Sequence, residues 1–308
     1  MTGHAAHGAK PLGLLKPLVL LLVGALVTAG SPVVAPPASA AATSLPLKKD
    51  SVRFAVIGDS GSGETGQTEL ARLLAERRAD FPFEFVVMMG DNIYGRDDPR
   101  DYREKFEEPY APLLQAGVKF YAALGNHDDP KQRFYEKFNM KGERYYTFKA
   151  PQNGVRFFAL DSNYMEKPQL EWLEKELAAS GSDWKICFFH HPLYSSGKKH
   201  GPAEELRKVL EPLFVKHGVD VVLQGHEHFY ERMQPQQNIH YFISGAAGKL
   251  RPSDIAKSDI TARGFDQDLT FMLMEIAGDE LYFETISRAG KTVDAGSFKR
   301  APEPKKAS

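Results

Sequence analysis

Five short polar blocks, each closing an apolar run, constrain this chain more than any other feature. They are Gly58-Asp59-Ser60-Gly61, Gly90-Asp91-Asn92-Ile93-Tyr94, Gly125-Asn126-His127-Asp128, His190-His191-Pro192 and Gly225-His226-Glu227-His228. A short apolar run bounded by turn residues reads as a buried strand, and polar residues just past it sit at the rim of a sheet. Taken singly, each block has an ordinary structural explanation. Gly-Asp after a strand makes a turn or caps a helix, His-x-His on a strand packs or is solvated, and Asn126 before a His is a turn residue. Tyr94 alone is a half-buried aromatic. Five blocks in this order require all those explanations to coincide.

Hydrophobic periodicity places the blocks. Val52 to Ile57, Phe83 to Met89, Val118 to Leu124, Trp184 to Phe189 and Val219 to Leu223 read as strands. Thr65 to Arg78, Gln169 to Ala179 and Ala203 to His217 have helical spacing, and Asp101 to Gln115 reads as short helices interrupted by Pro109 and Pro112. Arg144 to Phe148 and Val155 to Leu160 read as paired strands joined by a turn at Gln152-Asn153-Gly154. After that the pattern is nearly all β, with Ile239 to Ser244, Leu269 to Ile276 and Leu281 to Ile286. Alternating strands and helices followed by a run of strands predict an α/β fold: two stacked mixed β-sheets flanked by helices. Sites in open sheets of this kind gather at the carboxyl ends of strands, where all five blocks lie.

The first 40 residues differ from the rest. Lys10 and Lys16 precede the apolar run Leu18 to Val27, and small residues follow, ending Ala38-Ser39-Ala40. That order is a secretory signal peptide with its cleavage site. The run falls short of the roughly 20 apolar residues of a spanning helix, so no stable membrane anchor is expected. Cleavage after Ala40 leaves residues 41–308 as one catalytic domain, secreted or periplasmic. Both lysines leave with the signal, so the remainder is net acidic, which argues against nucleic acid as a partner. Cys187 is the only cysteine; it forms no internal disulfide and is expected to pack in the core.

Carboxylate, amide and imidazole donors suit first-row metals rather than calcium. A pair of such metals clamps the attacking and leaving oxygens of a phosphoryl displacement. His226 and His228, at alternate positions of an extended segment, face the site together while Glu227 faces away. Two other motifs fail on chemistry. Gly58 to Thr65 nearly fits a P-loop, but Glu64 stands where the phosphate-binding lysine belongs. His226-Glu227-x-His would need another residue to put both histidines on one helical turn.

On these blocks the chain resembles the calcineurin-like metallophosphoesterases, and within them the small, single-domain purple acid phosphatases, from about Val52 to Arg300. Tyr94 in Gly90-Asp91-Asn92-Ile93-Tyr94 marks the purple branch, with His200-Gly201-Pro202 as a second marker. The resemblance implies that Asp59, Tyr94 and His228 hold a ferric ion. Asn126, His190 and His226 would hold a divalent iron, zinc or manganese, and Asp91 would bridge the two ions. His127 would contact the phosphate or protonate the leaving group, helped by His200. The expected function is a secreted phosphatase that hydrolyses small phosphate monoesters by in-line attack of a metal-bound hydroxide. One departure is His191, where the small branch often has another aromatic. His191 stays open as an alternative to His190, while alternation from Phe188 puts His190 with the inward set.

Free tyrosine ionises near pH ~10. A trivalent ion deprotonates it outright, and the phenolate in turn favours ferric iron, so Tyr94 predicts an acid pH optimum. Two other functions are compatible with parts of this pattern. A phosphodiesterase of the same fold would share the ligand set and differ at the mouth, while a catalytically silent phosphate-binding protein would show an incomplete set. The mouth is read as Gly95 to Arg103, Ser195 to His200 and Ala246 to Phe265, with Lys198, Lys199, Lys249, Arg251 and Arg263 as candidate anion attractors.

Overall fold

The apolar runs become strands. The computed structural model describes residues 45–152 and 154–300. In chain order the elements are β1 (Val52–Ile57), α1 (Thr65–Arg77), β2 (Phe85–Met89), α2 (Pro99–Tyr102), α3 (Ala111–Gln115), β3 (Lys119–Ala123), β4 (Tyr146–Lys149) and β5 (Val155–Ala159). There follow α4 (Lys167–Ala178), β6 (Trp184–Phe189), α5 (Glu204–His217), β7 (Val221–Gln224), β8 (Tyr230–Met233) and β9 (His240–Ser244). The chain closes with β10 (Thr261–Phe265), β11 (Thr270–Ala277), β12 (Glu280–Ser287) and β13 (Thr292–Lys299). The leader, its cleavage site and Asn153 of the expected turn lie outside the described residues. Among the described residues, no helix is long and apolar enough to cross a membrane.

Two sheets form, ordered β13-β12-β11-β1-β2-β3 and β10-β8-β9-β7-β6-β5-β4. β1, β2 and β3 pair in parallel, as do β5, β6, β7 and β9. β11, β12 and β13 extend the first sheet antiparallel, β8 and β10 one edge of the second, and β4 its other edge. Both sheets are therefore mixed.

Strand alternation decides the layers. From β1, Phe54 and Val56 enter the space between the sheets, with Val87 and Met89 of β2, Phe157 of β5 and Phe188 of β6. Ala55 and Ile57 turn the other way, onto Leu70, Leu73 and Leu74 of α1. Behind the second sheet, Cys187, Phe189 and Val222 pack on Leu173 of α4 and Leu210 and Phe214 of α5. Cys187 is thus a core residue, as expected. Phe54 and Phe85, opposite each other in register, stack at 5.4 Å, and Phe157 meets them edge-on at 5.1 and 5.3 Å. Truncating a buried Phe such as Phe157 to Ala costs about 3–5 kcal/mol in transfer and cavity terms.

β8, β10 and β13 are absent from the sequence reading. Each hides for a physical reason. β13 lies at a sheet edge and packs only Val293 and Phe298 of its apolar side chains against the core, so no sustained apolar alternation marks it. β10 is a half-buried edge strand with Gly264 inside it, and β8 carries the buried Glu231. The expected short helices resolve into α2, a π-helical turn at Arg103–Glu107 and α3. Pro112 sits in the first turn of α3, where a missing N–H costs nothing.

The first sheet also holds the start of the described chain. Glu275 of β11 is fully buried. It accepts from Leu47 N at 2.9 Å, from Lys48 N, and from Ser51 Oγ at 2.7 Å.

Candidate metal centre

The blocks leave β1, β2, β3, β6 and β7 and meet at one rim. Asp59 N donates to Gly90 O, and Gly225 N donates to His190 O, both at 3.0 Å. Asp59, Asp91 and His226 take left-handed backbone angles, with φ of 55°, 51° and 69°. Such conformations are unfavourable for non-glycine residues and persist where surrounding contacts dictate them, as at functional sites. Two glycines make room for the carboxylates: a Cβ on Gly125 would lie 2.2 Å from Asp91 Oδ1, and one on Gly225 2.5 Å from Asp59 Oδ2.

The donors gather into two clusters. In one, Tyr94 Oη lies 3.2 Å from Asp59 Oδ1 and 3.3 Å from His228 Nε2, and Asp59 Oδ1 is 3.4 Å from that nitrogen. In the other, His190 Nε2 lies 2.9 Å from Asn126 Oδ1 and 3.1 Å from His226 Nδ1. Asp91 joins both. Its Oδ1 is 3.4 Å from His190 Nε2, and its carboxylate groups with Asp59 and His228. His190 Nδ1 contacts Met89 O at 2.9 Å, so that nitrogen carries the proton and the Nε2 lone pair faces the cluster. His191 belongs to the same neighbourhood, its ring 4.6 Å from that of His226 and its Nδ1 2.8 Å from Ser162 Oγ.

The electrostatics fit a cation. Burial, then the neighbouring Asp91, holds the Asp59 carboxyl well above its usual range. Burial pushes the His190 imidazole far down, His226 down to about 2 and His228 down to about 4. Burial, Asp59 and Asp91 push the Tyr94 hydroxyl strongly up. Every charged form of these side chains is penalised, yet lone pairs converge within hydrogen-bond distance. Metal ions would relieve both strains, and a phenolate at Tyr94 requires one.

His127 and His200 flank the clusters. His127 N donates to Asp91 Oδ1 at 3.0 Å, and its ring lies 5.1 Å from that of Tyr94. The His200 ring lies 4.3 Å from the His226 ring, and its Nε2 is 3.1 Å from Arg251 Nη2. A guanidinium only donates, so this nitrogen of His200 accepts and a neutral His200 carries its proton on Nδ1. A groove of about 620 Å³, lined in part by Asn126, His191, Ser162 and Asn163, opens beside the second cluster.

The expected extended geometry at His226-Glu227-His228 is not what forms. β7 ends at Gln224, and the left-handed His226 turns the chain so that both histidines reach the pocket from a loop. Glu227 does face away, but into a buried polar contact and not to solvent. It accepts from Gly201 N at 2.8 Å and Ser195 Oγ at 3.1 Å, and pairs with Arg251 at 3.4 Å. Asp128 is a second residue without a role in the sequence reading. It ties two blocks together by accepting from Asn92 N, Ile93 N and Gly125 N at 2.8, 3.0 and 2.8 Å. Its position inside Gly125-Asn126-His127-Asp128 is the signal that would have found it. Of the candidate anion attractors, Lys198 donates to Ser253 O and Arg263 to Val293 O. Lys249 pairs with Glu64 and lies 5.5 Å above the Tyr94 ring.

Residues 52–230 match the calcineurin-like phosphoesterase family. The chain belongs to that family. Among calcineurin-like phosphoesterases it is similar to rat tartrate-resistant acid phosphatase type 5, at 28% identity over 82% of this chain and 92% of the relative. It is 30% identical to Arabidopsis thaliana purple acid phosphatase 17, over 68% of this chain and 72% of that protein. The fold is shared with yellow lupin purple acid phosphatase PPD1, at TM-score 0.66 and 20% identity, covering 85% of this chain and 58% of that one. It is also shared with the Plasmodium inner membrane complex anchor GAP50, at TM-score 0.70 and 20% identity, covering 82% and 90%. Within the phosphoesterases, then, this chain sits with the tartrate-resistant and purple acid phosphatases.

Proposed function

We propose that this protein is an exported purple acid phosphatase that hydrolyses small phosphate monoesters at a two-metal centre. Family membership supports a metal-dependent phosphatase acting on phosphoric esters. The observation that carries the finer reading is the convergence of Asp59, Tyr94 and His228 on one side of Asp91, and of Asn126, His190 and His226 on the other. The first three would hold a ferric ion, the second three a divalent iron, zinc or manganese, and Asp91 would be shared. Bound there, the ions would supply Lewis-acid activation of the phosphoryl group and of water.

The chain's own residues supply the remainder. Asp91, fixed by the N–H of His127, sits where both clusters need negative charge. His127 and His200 are exposed at the mouth and act on the substrate, His127 as proton donor to the leaving oxygen and His200 as its helper. The groove beside Asn126 and Ser162 takes the organic part of the ester. His191 offers a nitrogen within 4.8 Å of ligand atoms of His190 and His226 and is the alternative third imidazole there, while its Nδ1 contact with Ser162 orients the ring.

Elemental analysis of the exported, loaded protein together with its visible spectrum tests this reading. The expected result is two ions per chain, at least one of them iron, with a purple or pink charge-transfer band from Tyr94. One ion or none overturns the two-metal centre. A colourless, active, two-metal enzyme with a neutral optimum removes the chain from the purple branch and keeps it a phosphoesterase.

A further inference from the structure

We propose that Arg251 is a substrate-contacting residue that grips the phosphoryl group from the His200 side and thereby favours monoesters over diesters. The inference rests on the phosphatase reading above and adds to it a residue that sets specificity. Arg251 hangs on the second histidine of the site, its N donating to His228 O at 3.0 Å. Its side chain is then held from behind. Nη1 lies 3.4 Å from Glu227 Oε2 and 3.3 Å from Asp254 Oδ2, both buried carboxylates. Nη2 is turned the other way, onto His200 Nε2, and His200 in turn lies over His226.

Glu227 fixes this arrangement at both ends. Its Oε1 takes the N–H of Gly201, the residue after His200, and the hydroxyl of Ser195. The loop is pressed so close that a Cβ on Gly197 would lie 2.2 Å from Oε1. One carboxylate thus anchors both the backbone beside His200 and the guanidinium beside its ring. Two anchored contacts leave the Arg251 fork pre-aligned, so little side-chain freedom remains to be lost on binding. The Arg251–His200 bond lies at the exposed end of this network, where an entering anion can replace a neutral imidazole as acceptor. A guanidinium N–H to a phosphoryl oxygen is the stronger, charge-assisted bond.

Ester class follows from counting oxygens. A monoester carries three terminal oxygens and a diester two. If each donor cluster accounts for one, only the monoester has another to offer Arg251. Lys249, another cation at this rim, is engaged with Glu64 and the Tyr94 ring.

The test uses the metal-loaded protein, wild type and Arg251→Gln, with Arg251→Lys as the milder variant. Turnover of para-nitrophenyl phosphate and of bis-para-nitrophenyl phosphate is compared, and inorganic phosphate binding is measured by calorimetry. Losing one charge-assisted bond should weaken phosphate binding, and lower monoester kcat/KM chiefly through KM, by roughly 10-fold or more. Diester kcat/KM should change by less than about threefold and metal content should hold, with Arg251→Lys in between. Equal losses on both esters, or unchanged phosphate affinity with metals intact, would overturn the proposal and leave Arg251 as a tie for the His200 loop. If Arg251→Gln does not fold, the same comparison is read from Arg251→Lys. A wild type that binds phosphate through Arg251 but hydrolyses neither ester would sink the phosphatase reading and keep the contact.

Discussion

The two donor clusters share one carboxylate and little else. Around Asp59, Tyr94 and His228 the donors are a buried carboxylate, a phenol and one imidazole; around Asn126, His190 and His226 they are an amide and two imidazoles. The first set supplies anionic oxygen donors only once a cation offsets their burial, while the second is neutral and nitrogen-rich, so they suit cations of different charge and hardness. A second division runs across the first. Asp59, Asp91, Tyr94 and Asn126 follow strands of the six-stranded sheet, while His190, His226 and His228 follow strands of the seven-stranded one. Oxygen comes from one sheet and imidazole from the other, and each cluster draws on both. Ions bound there would fasten the sheets together at their open rim.

The most direct way to break this comparison is Asp91→Ala, which removes the group common to both clusters. Activity should fall by on the order of 10³-fold or more, the scale of several kcal/mol of metal-borne stabilisation. The melting temperature of the loaded protein should fall with it, since ligands bound to the folded state stabilise it. Turnover, metal content and a thermal melt on one sample check this, and an active, fully loaded Asp91→Ala protein ends the idea of a shared carboxylate.

His127→Ala should keep both metals and slow turnover by roughly 10²–10⁴-fold, the usual worth of general acid catalysis. Aryl phosphates, whose leaving groups need less protonation, should lose less than alkyl phosphates. Equal losses would remove the acid role.

Tyr94→Phe sharpens the contrast between clusters. It keeps the ring packed beside His127 and removes only the oxygen, so the visible band should vanish and iron should dissociate more readily. The ion of the Asn126 cluster should stay. An unchanged spectrum would show that Tyr94 is not a ligand.

The smallest expected effect lies in the imidazole-bearing sheet but away from the centre. His240 of β9 stacks on Phe298 with centroids 3.4 Å apart, and burial followed by Arg232 pushes its imidazole down to about 4. An unfolded histidine titrates near ~6.5. Between those values the unfolded chain binds a proton that the folded chain refuses, so stability falls as pH drops through this window and is unaffected above it. After allowance for water at the partly open ring, the loss amounts to about 1–2 kcal/mol. His240→Gln should flatten the slope of the urea midpoint against pH in that range. An unaltered slope would place the acid sensitivity in other groups.

Much of this was legible because the donors obey a local rule. Asp59, Asp91, Asn126 and His190 each stand within a few residues of an apolar run, and the run announces where its end must lie. Residues whose partners are distant in sequence escaped. Nothing near Glu227 indicates that it will bind Gly201 and Arg251, some two dozen residues away on either side. His226 is instructive in another way. Strand alternation sent both motif histidines inward for the wrong reason; the structure does it with a left-handed turn that also buries Glu227. β13 was invisible because an edge strand that packs only Val293 and Phe298 inward carries no sustained apolar pattern.

The Glu275 contact sets a lower bound on how short the chain can be made. Its carboxylate has no water to fall back on, and the N–H groups of Leu47 and Lys48 and the Ser51 hydroxyl supply its hydrogen bonds. Shortening the described chain past Leu47 removes its backbone donors one after the other. Past that point the Glu275 carboxylate keeps Ser51 and the Arg53 guanidinium, 3.6 Å away, but loses both backbone donors, in a strand paired with the one that leads to Asp59. The segment from Leu47 to Ser51 doubles as a plug, and chains shortened beyond Ser51 should accumulate as insoluble material.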